Sequence, residues 1–187
     1  MVWTSALLSL VFWIGGAVYF AAFVARTSFA VLPTRTLAGE LNGRLIAPLE
    51  IGIAGSAAIF FLAIRLLRRK REIPLIRRLL LTRLPMVALT AAVVSRAIVT
   101  PRLHEIRASM PFGIENVPST DPLRIQFGRF HAMSSSLLLL EIFCGLVCLS
   151  ALAAEISHQT SASKDDEAPS LIRLSGSEPG DSDSRDS

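Results

Sequence analysis

The chain has 187 residues, of which 51% are hydrophobic and only 18% are charged, and its apolar residues gather in blocks of about 18 or more. A soluble domain would spread its polar residues through amphipathic periods, so this pattern excludes an ordinary soluble class and indicates a membrane protein. The net charge of +4 combines a basic part, with 16 basic and 7 acidic residues in 1–154, and an acidic part, with 3 basic and 8 acidic residues in 155–187.

The first half of the chain contains two predicted membrane helices. An apolar run predicts the first helix over about 5–24. Over residues 29–45, leucines at helical spacing are interleaved with charged residues, which predicts a short amphipathic helix at the membrane interface. The second membrane helix is predicted over about 46–67, with Pro48 in its first turn, where the missing N–H group is tolerated.

The strongest topological signal is a connection that carries eight basic residues against a single Glu72. Such a connection stays on the cytoplasmic side, and because topology explains its charge we expect no nucleic-acid partner. The third helix is predicted over about 84–100 and the fourth over about 127–154, which makes both termini cytoplasmic. The eight basic residues are Arg65, Arg68, Arg69, Lys70, Arg71, Arg77, Arg78 and Arg83.

The predicted fold class is all-α. Residues 1–154 form an integral membrane antiparallel four-helix bundle with a short interfacial helix, and residues 155–187 form an acidic, Ser-rich tail. The tail has too few apolar residues to offset its ordering entropy, so we expect it to be disordered. The lipid bilayer is the expected partner, while a homo-oligomer and another membrane protein stay open as further partners.

Three ionisable residues fall within the predicted spans, where a charge is costly and raises a functional question. Glu50 and Arg96 lie at a matching depth of about 6 Å below the outer surface, so they are candidate ion-pair partners, unless each snorkels to the interface. Glu141 lies about 21 Å along helix four and needs a partner, a proton or a wet cavity. Arg83, at the cytoplasmic end of helix three, is its candidate partner.

Helix four has a polar stripe that we expect to face the bundle, either as a small path or as interhelical hydrogen-bonding contacts. Near its start, His131 lies at the level of His104, which follows helix three. Two imidazoles at one membrane level can bind a metal or haem iron, but two histidines are far short of a diagnostic motif. We therefore assign no metal site and no cofactor. The stripe comprises His131, Ser134, Leu138, Glu141 and Gly145.

No catalytic motif is present in the sequence: there is no Gly-rich phosphate loop, HExxH or GxSxG. We therefore expect no catalytic residues and no enzymatic activity. Cys144 and Cys148 lie four residues apart in an apolar run, and we interpret them as small buried hydrophobes, the commoner use of free cysteine, with a soft-metal pair as the alternative.

Two stretches, Ser95–Arg107 and Asp121–Ser134, resemble the end of a domain-of-unknown-function membrane family related to transmembrane protein 205. The opening of the chain is similar to the same family through Trp13–Gly16, Phe29, Leu32-Pro33 and Gly43–Leu45. The resemblance covers roughly residues 8–150, and its specific positions are Pro101, Arg107, Phe127 and His131. It implies a four-helix membrane domain without an established biochemical activity.

These observations favour a non-enzymatic membrane protein with a polar cluster at the outer side of the bundle, which either organises the bundle or meets an unidentified small ligand. The alternative is a small carrier, or a metal- or haem-binding redox component, that uses His131 and Glu141. A third class is a scaffold that acts through its tail. The candidate cluster comprises Glu50, Arg96, His104, Arg107, His131 and Glu141.

The positive-inside bias generates a test of topology. In a background in which Cys144 and Cys148 are replaced by Ala, a single cysteine introduced beside Arg71 should resist an impermeant thiol reagent added to intact cells. It should react once the membrane is permeabilised. Labelling at this position in intact cells would show that the connection lies outside and that the predicted orientation is wrong.

Overall fold

A computed structural model describes residues 2–68, 74–110 and 112–175, with side chains described for 2–67, 74–110 and 112–157. All regular structure within these ranges is helical. The elements in chain order are α1 (Val2–Tyr19), a π-helical turn (Phe20–Val24), α2 (Ala25–Val31), α3 (Arg35–Arg68), α4 (Leu75–Val94), a second π-helical turn (Ser95–Val99), α5 (Thr100–Ala108), a 3-10 helix (Ile114–Asn116) and α6 (Pro122–Ser175).

Four helical stretches are long and apolar enough to span a membrane, which confirms the predicted all-α membrane fold. Each is longer than its sequence prediction. Because successive helices run antiparallel, the connections at residues 32–34 and 109–121 lie at the same end of the bundle, and α3 and α6 both start from that end. The four stretches are Val2–Val31, Arg35–Leu67, Leu75–Ala108 and Pro122–Ser157.

The prediction of a separate interfacial helix over 29–45 is wrong. The chain breaks only at residues 32–34, where Leu32 is extended because Pro33 follows it. The next helix begins at once, with Thr34 Oγ1 accepting the N–H of Leu37 at 3.2 Å as an N-terminal cap. Residues 35–45 are therefore the first turns of α3, and Pro48 lies inside this helix without ending it.

The basic connection is also shorter than predicted. Arg77, Arg78 and Arg83 lie on α4, which begins at Leu75 after Pro74. Residues 69–73, which carry the densest run of basic residues, lie outside the described residues. The cytoplasmic placement of this connection stays a prediction.

The second π-helical turn follows from the position of Pro101. Proline has no N–H group to donate to the preceding turn, and the helix accommodates the loss with a wider hydrogen-bonded ring. The N–H of Thr100 accordingly donates to the carbonyl of Ser95, five residues earlier. Ser95, the first residue of this turn, is buried and continues the buried face of α4 that carries Ala88 and Ala92.

Small residues allow close packing between the first helix and its neighbours. A Cβ atom at Gly16 would lie 3.2 Å from Leu49 Cδ1, and one at Gly52 would lie 2.9 Å from Phe12 Cε1. On α6, a Cβ atom at Gly145 would lie 2.7 Å from Ile14 Cγ1. These glycines therefore set the distances between helices by the absence of a side chain.

The structure divides into two compact units, Met1–Ala151 and Leu152–Ser187. The first contains the bundle described above. In the second, α6 continues as helical backbone to Ser175, which the polar composition of this segment did not predict. Residues 176–187 lie outside the described residues, so disorder of the tail there stays a prediction.

Replacing Gly145 by Ala should destabilise the bundle by about 1–3 kcal/mol, because the new methyl group would overlap Ile14. The matched control is Gly55→Ala on α3, where a Cβ atom meets nothing within 4 Å and the better helix propensity of Ala should leave stability unchanged or slightly raised. Thermal unfolding of both variants in the same detergent checks the difference. Equal melting temperatures would show that this contact does not limit the packing.

Candidate functional site

A pocket of about 870 Å³ lies at the end of the bundle that carries residues 32–34 and 109–121, which we call the pocket end. Its walls come from the first π-helical turn, α2, α3, α5, α6 and the 109–121 connection. Much of the lining is apolar or aromatic, and the described lining residues include no acidic side chain. The apolar part of the wall includes Phe20, Phe29, Ile46, Leu103, Met110 and Leu138.

Arg107, in the last turn of α5, is the central polar residue of the pocket wall. Its guanidinium group lies over two glycines of α3: a Cβ atom at Gly39 would be 3.0 Å from Nη2, and one at Gly43 would be 3.5 Å from Nη1. The charge of Glu40 also acts on it. The glycine spacing of four residues leaves a notch on one face of α3 that the planar group fills.

An aromatic stack connects Arg107 to α6. The guanidinium carbon lies 5.6 Å from the centre of the Phe127 ring, and this ring stacks on His131 with centroids 6.0 Å apart and planes inclined by 5°. A cation–π contact attracts the guanidinium group to the ring without using an N–H donor. Arg107, Phe127 and His131 are three of the four positions that are most specific to the family resemblance, and they form one stack.

His131 itself lines the pocket and is exposed, so its ring lies at the pocket surface and not in the core. Ser134 and Leu138 follow it along the pocket wall, while Glu141 is buried deeper in the bundle. The polar stripe of helix four therefore faces the pocket and the interior. The two residues of the carrier or redox alternative are ten positions apart on α6, about 15 Å along the axis, and cannot ligate one ion.

Three further polar residues of the wall were missed by sequence reasoning: Arg35, Arg124 and Asn42. Asn42 Oδ1 accepts a hydrogen bond from Ser28 Oγ at 3.1 Å, and its Nδ2 is buried with no partner among the described atoms. The spacing of Arg124, Phe127 and His131 at i, i+3 and i+7 could have placed them on one helix face. Nothing in the sequence signalled that Asn42 would join them.

The 109–121 connection is anchored to the start of α3 by Thr36. Its Oγ1 donates to Glu115 Oε2 at 2.7 Å and accepts the N–H of Ile114 at 3.1 Å. This hydroxyl, aided by backbone hydrogen bonds and the charge of Arg35, holds the pKa of Glu115 below its ordinary value. Gly113 has a φ of 83°, in the region that favours glycine, and with Ile114 it lines the pocket.

Glu50 does not meet the partner expected from the sequence. Its Oε1 accepts a hydrogen bond from Ser95 Oγ at 2.5 Å, and its side chain is buried. The neighbouring Arg96 is exposed, and among the described ion pairs none joins it to Glu50, although the charges of the two groups interact. The sequence analysis placed Glu50 close to the outer surface because it started this helix near residue 46. The helix instead starts at Arg35, so Glu50 lies 15 residues, about 22 Å, from the helix start.

Glu141 is also buried, but Arg83 is exposed on α4 and makes no described contact with it. The charged group that acts on Glu141 is Glu50. The predicted outer cluster is therefore divided. Arg107 and His131 lie at the pocket, His104 is exposed with its ring near Gly43, Glu50 and Glu141 lie in the interior, and Arg96 is on the surface.

The cysteines behave as the apolar run predicted, since Cys144 and Cys148 are both free and buried. Among the residues whose side chains are described, no group of three or more His, Cys, Asp or Glu side chains could hold a metal ion.

Comparison with known proteins gives a family without a named activity. Residues 8–111, more than half of the chain, match the domain of unknown function DUF4149. The chain therefore belongs to this family. Neither a curated protein nor a solved structure matches it significantly.

The anchoring of Glu115 generates a pH-dependent prediction. A carboxyl group whose pKa is lowered by folding adds stability above its ordinary pKa, and this stability is lost as the pH falls through the folded pKa. Wild type should therefore melt above Glu115→Gln at pH 7, and the difference should shrink once the pH falls below 4.5.

Thr36→Val supplies the control, because without the hydroxyl the Glu115→Gln substitution should have little effect at any pH. Melting curves of the four variants across the pH range check this. A difference that persists unchanged at low pH would mean that the ionised carboxylate does not hold the connection.

Proposed function

We propose that this member of the DUF4149 family is a non-enzymatic membrane protein that binds an anionic amphiphile, a molecule with a carboxylate or phosphate head and a hydrocarbon tail. The observation that carries the proposal is the guanidinium group of Arg107, held between a glycine notch and an aromatic ring at the wall of a largely apolar pocket.

The size and lining of the pocket favour a ligand with a long apolar part. A volume of about 870 Å³ lies in the range of small-molecule sites, which are mainly apolar with a few polar groups that fix orientation. In a membrane protein, lipids and fatty acids are the apolar molecules present at the highest concentration around the helices. The open apolar wall formed by Phe20, Phe29 and Leu138 suits a hydrocarbon chain.

The charge of the lining favours an anionic head. Arg35, Arg107 and Arg124 line the pocket together with His131. The nearby carboxylates are engaged elsewhere: Glu40 pairs with Arg44 at 2.7 Å, and Glu115 accepts the Thr36 hydrogen bond. An anion in the pocket would thus meet several donors and no acidic lining residue of the described chain.

The fixed orientation of Arg107 favours recognition of a planar or tetrahedral oxyanion. A guanidinium group presents parallel N–H donors that match carboxylate and phosphate oxygens, and little entropy is lost when the group is already held in place.

The proposal includes three further points, which concern enzymatic activity, family relation and membrane topology. The absence of catalytic motifs in the sequence supports a non-enzymatic role. A relation to transmembrane protein 205 is supported by the residues Pro101, Arg107, Phe127 and His131. If both termini are cytoplasmic, as the basic connection favours, the pocket opens at the outer leaflet.

A fluorescent long-chain fatty acid and its methyl ester provide the test, with the full chain in nanodiscs of neutral phospholipid. The acid should bind at least about tenfold more tightly than the ester, because hydrogen bonds to charged groups contribute about 1.5–3 kcal/mol. Arg107→Gln should remove most of that difference. Gly39→Ala should weaken acid binding as well, since its Cβ atom would lie 3.0 Å from Nη2 of Arg107.

Arg129→Gln is the matched control, because Arg129 is exposed on the same helix as His131 but does not line the pocket. His131→Phe keeps the aromatic stack and tests the ring nitrogens alone. Competition by phosphatidic acid and by unlabelled fatty acid distinguishes a phosphate head from a carboxylate. Equal affinities for acid and ester, or full binding by Arg107→Gln, would contradict the proposal.

A further inference from the structure

The pocket extends sideways between two membrane-spanning stretches, the first at Val2–Val31 and the fourth at Pro122–Ser157. These stretches are in contact at Ile14 and Gly145, where a Cβ atom on the glycine would lie 2.7 Å from Ile14 Cγ1. Closer to the pocket end, a Cβ atom at Gly128 would meet nothing within 4 Å. The two helices thus touch far from the pocket end and leave open space near it.

The pocket separates these two helices over a defined length. They run antiparallel, so residues at equal distances from the Ile14 contact lie at the same level. Phe20 lies six residues beyond Ile14, Leu139 lies six residues before its glycine partner, and both line the pocket. Phe29 and His131 line it nearer the pocket end, nine residues from Phe20 and eight from Leu139. The separation therefore runs for about 14 Å along one helix and about 12 Å along the other.

This separation, which we call the side crevice, is open to the outside of the bundle. Its floor contains half-buried residues of α3 and α5, among them Ile46 and Leu103. Its rims are exposed: Phe29 by 49% on one side and Leu139 by 63% on the other. Because both rims belong to membrane-spanning stretches, the crevice opens to lipid tails. The rim residues are Phe20, Ala25 and Phe29 on the first stretch and His131, Ser135 and Leu139 on the fourth.

The pocket has the same order of polarity as one leaflet of a bilayer. Its three arginines are all close to helix termini at the pocket end: Arg35 begins α3, Arg107 is in the last turn of α5 and Arg124 is in the first turn of α6. The apolar crevice continues inward from them. One leaflet of the hydrocarbon core is about 15 Å thick, which is close to the length of the crevice.

We propose that the pocket binds an anionic phospholipid taken directly from the surrounding leaflet. Its phosphate lies at Arg107 and one acyl chain lies in the side crevice, while the second chain stays in the bilayer. This inference rests on the proposed function and specifies its ligand. The crevice allows the chain to move between bilayer and pocket without crossing water, which a pocket closed towards the lipid would not allow.

The head group that fits this site best is a phosphate monoester, as in phosphatidic acid. Such a group carries a charge of about −1.5 to −2 near neutral pH and has three strong acceptor oxygens. Three arginines line the pocket, and the described lining has no acidic side chain to compete for them. A carboxylate would present one charge and two oxygens to the same donors.

Photocrosslinking of the full chain in nanodiscs of phosphatidylcholine tests this inference. The probe is phosphatidic acid with a diazirine group in one acyl chain, and phosphatidylcholine with the same chain is the comparison. On wild type, crosslinks should concentrate at residues 20–29 and 131–139. Phosphatidic acid should give about tenfold more product at these sites, because hydrogen bonds to charged groups favour its head. Arg107→Gln should reduce this product to the phosphatidylcholine level.

Two neighbouring serines of α6 give a matched pair of blocking variants. Both are exposed, but Ser135 lines the pocket and Ser136 does not. Ser135→Phe should lower the phosphatidic acid product about tenfold by filling the crevice, whereas Ser136→Phe should keep the wild-type yield. Equal yields from the two variants would overturn the inference. If Ser135→Phe fails to fold, the crosslinked positions on the unmodified chain decide, and an even spread over all exposed apolar positions would overturn it.

Glycerol phosphate distinguishes a lipid from a soluble phosphate. It has the same phosphate group without chains, so it should not compete with the photoreactive lipid, and full competition would overturn binding from the leaflet. The fatty-acid experiment above separates this inference from the proposed function. If the acid keeps its preference over the ester while phosphatidic acid gives no more product than phosphatidylcholine, this inference alone is wrong. If both preferences are absent, the proposed function fails.

Discussion

The cost of holding charge away from water is the constraint on which this structure depends. The ionisable residues of the membrane helices discussed above accordingly occupy three kinds of location. Arg83 and Arg96 extend to the surface, as long cationic side chains do when they can reach it. Arg107 is placed at the end of the bundle beside an aromatic ring, whereas Glu50 and Glu141 are both buried in the interior.

Glycine supplies the space in which these polar groups are held. Gly39 and Gly43 make room for the guanidinium group on α3, and Gly145 lets the indole of Trp13 approach α6. In a bilayer there is no hydrophobic force that presses helices together, so close contact depends on small residues and on the polar contacts they permit. Packing and polar chemistry in this protein therefore use the same positions.

The pocket is separated from the buried Glu50 and Glu141 along α3 and α6. Gly39 precedes Glu50 by 11 residues on α3, and His131 precedes Glu141 by ten on α6, which corresponds to about 16 and 15 Å along the axes. A head group held at Arg107 would not touch Glu50 or Glu141. The pocket and these two buried carboxyl groups thus lie in different parts of the bundle.

The sequence by itself determined the number of membrane helices, because blocks of apolar residues can satisfy their backbone in a bilayer only as helices. It also singled out Arg107, Phe127 and His131, and it marked Glu50 and Glu141 as residues that need an explanation. It misplaced the start of α3, since Pro48 and the charges over 35–45 suggested an interfacial helix, whereas capping at Thr34 starts one continuous helix.

The tertiary structure alone decided which polar groups meet. Partners within one helix follow from sequence spacing, but the pairings of Glu50 with Ser95 and of Arg107 with the notch of α3 each join different helices. Such pairings depend on the relative rotation and position of different helices, which the residue spacing within one helix does not contain.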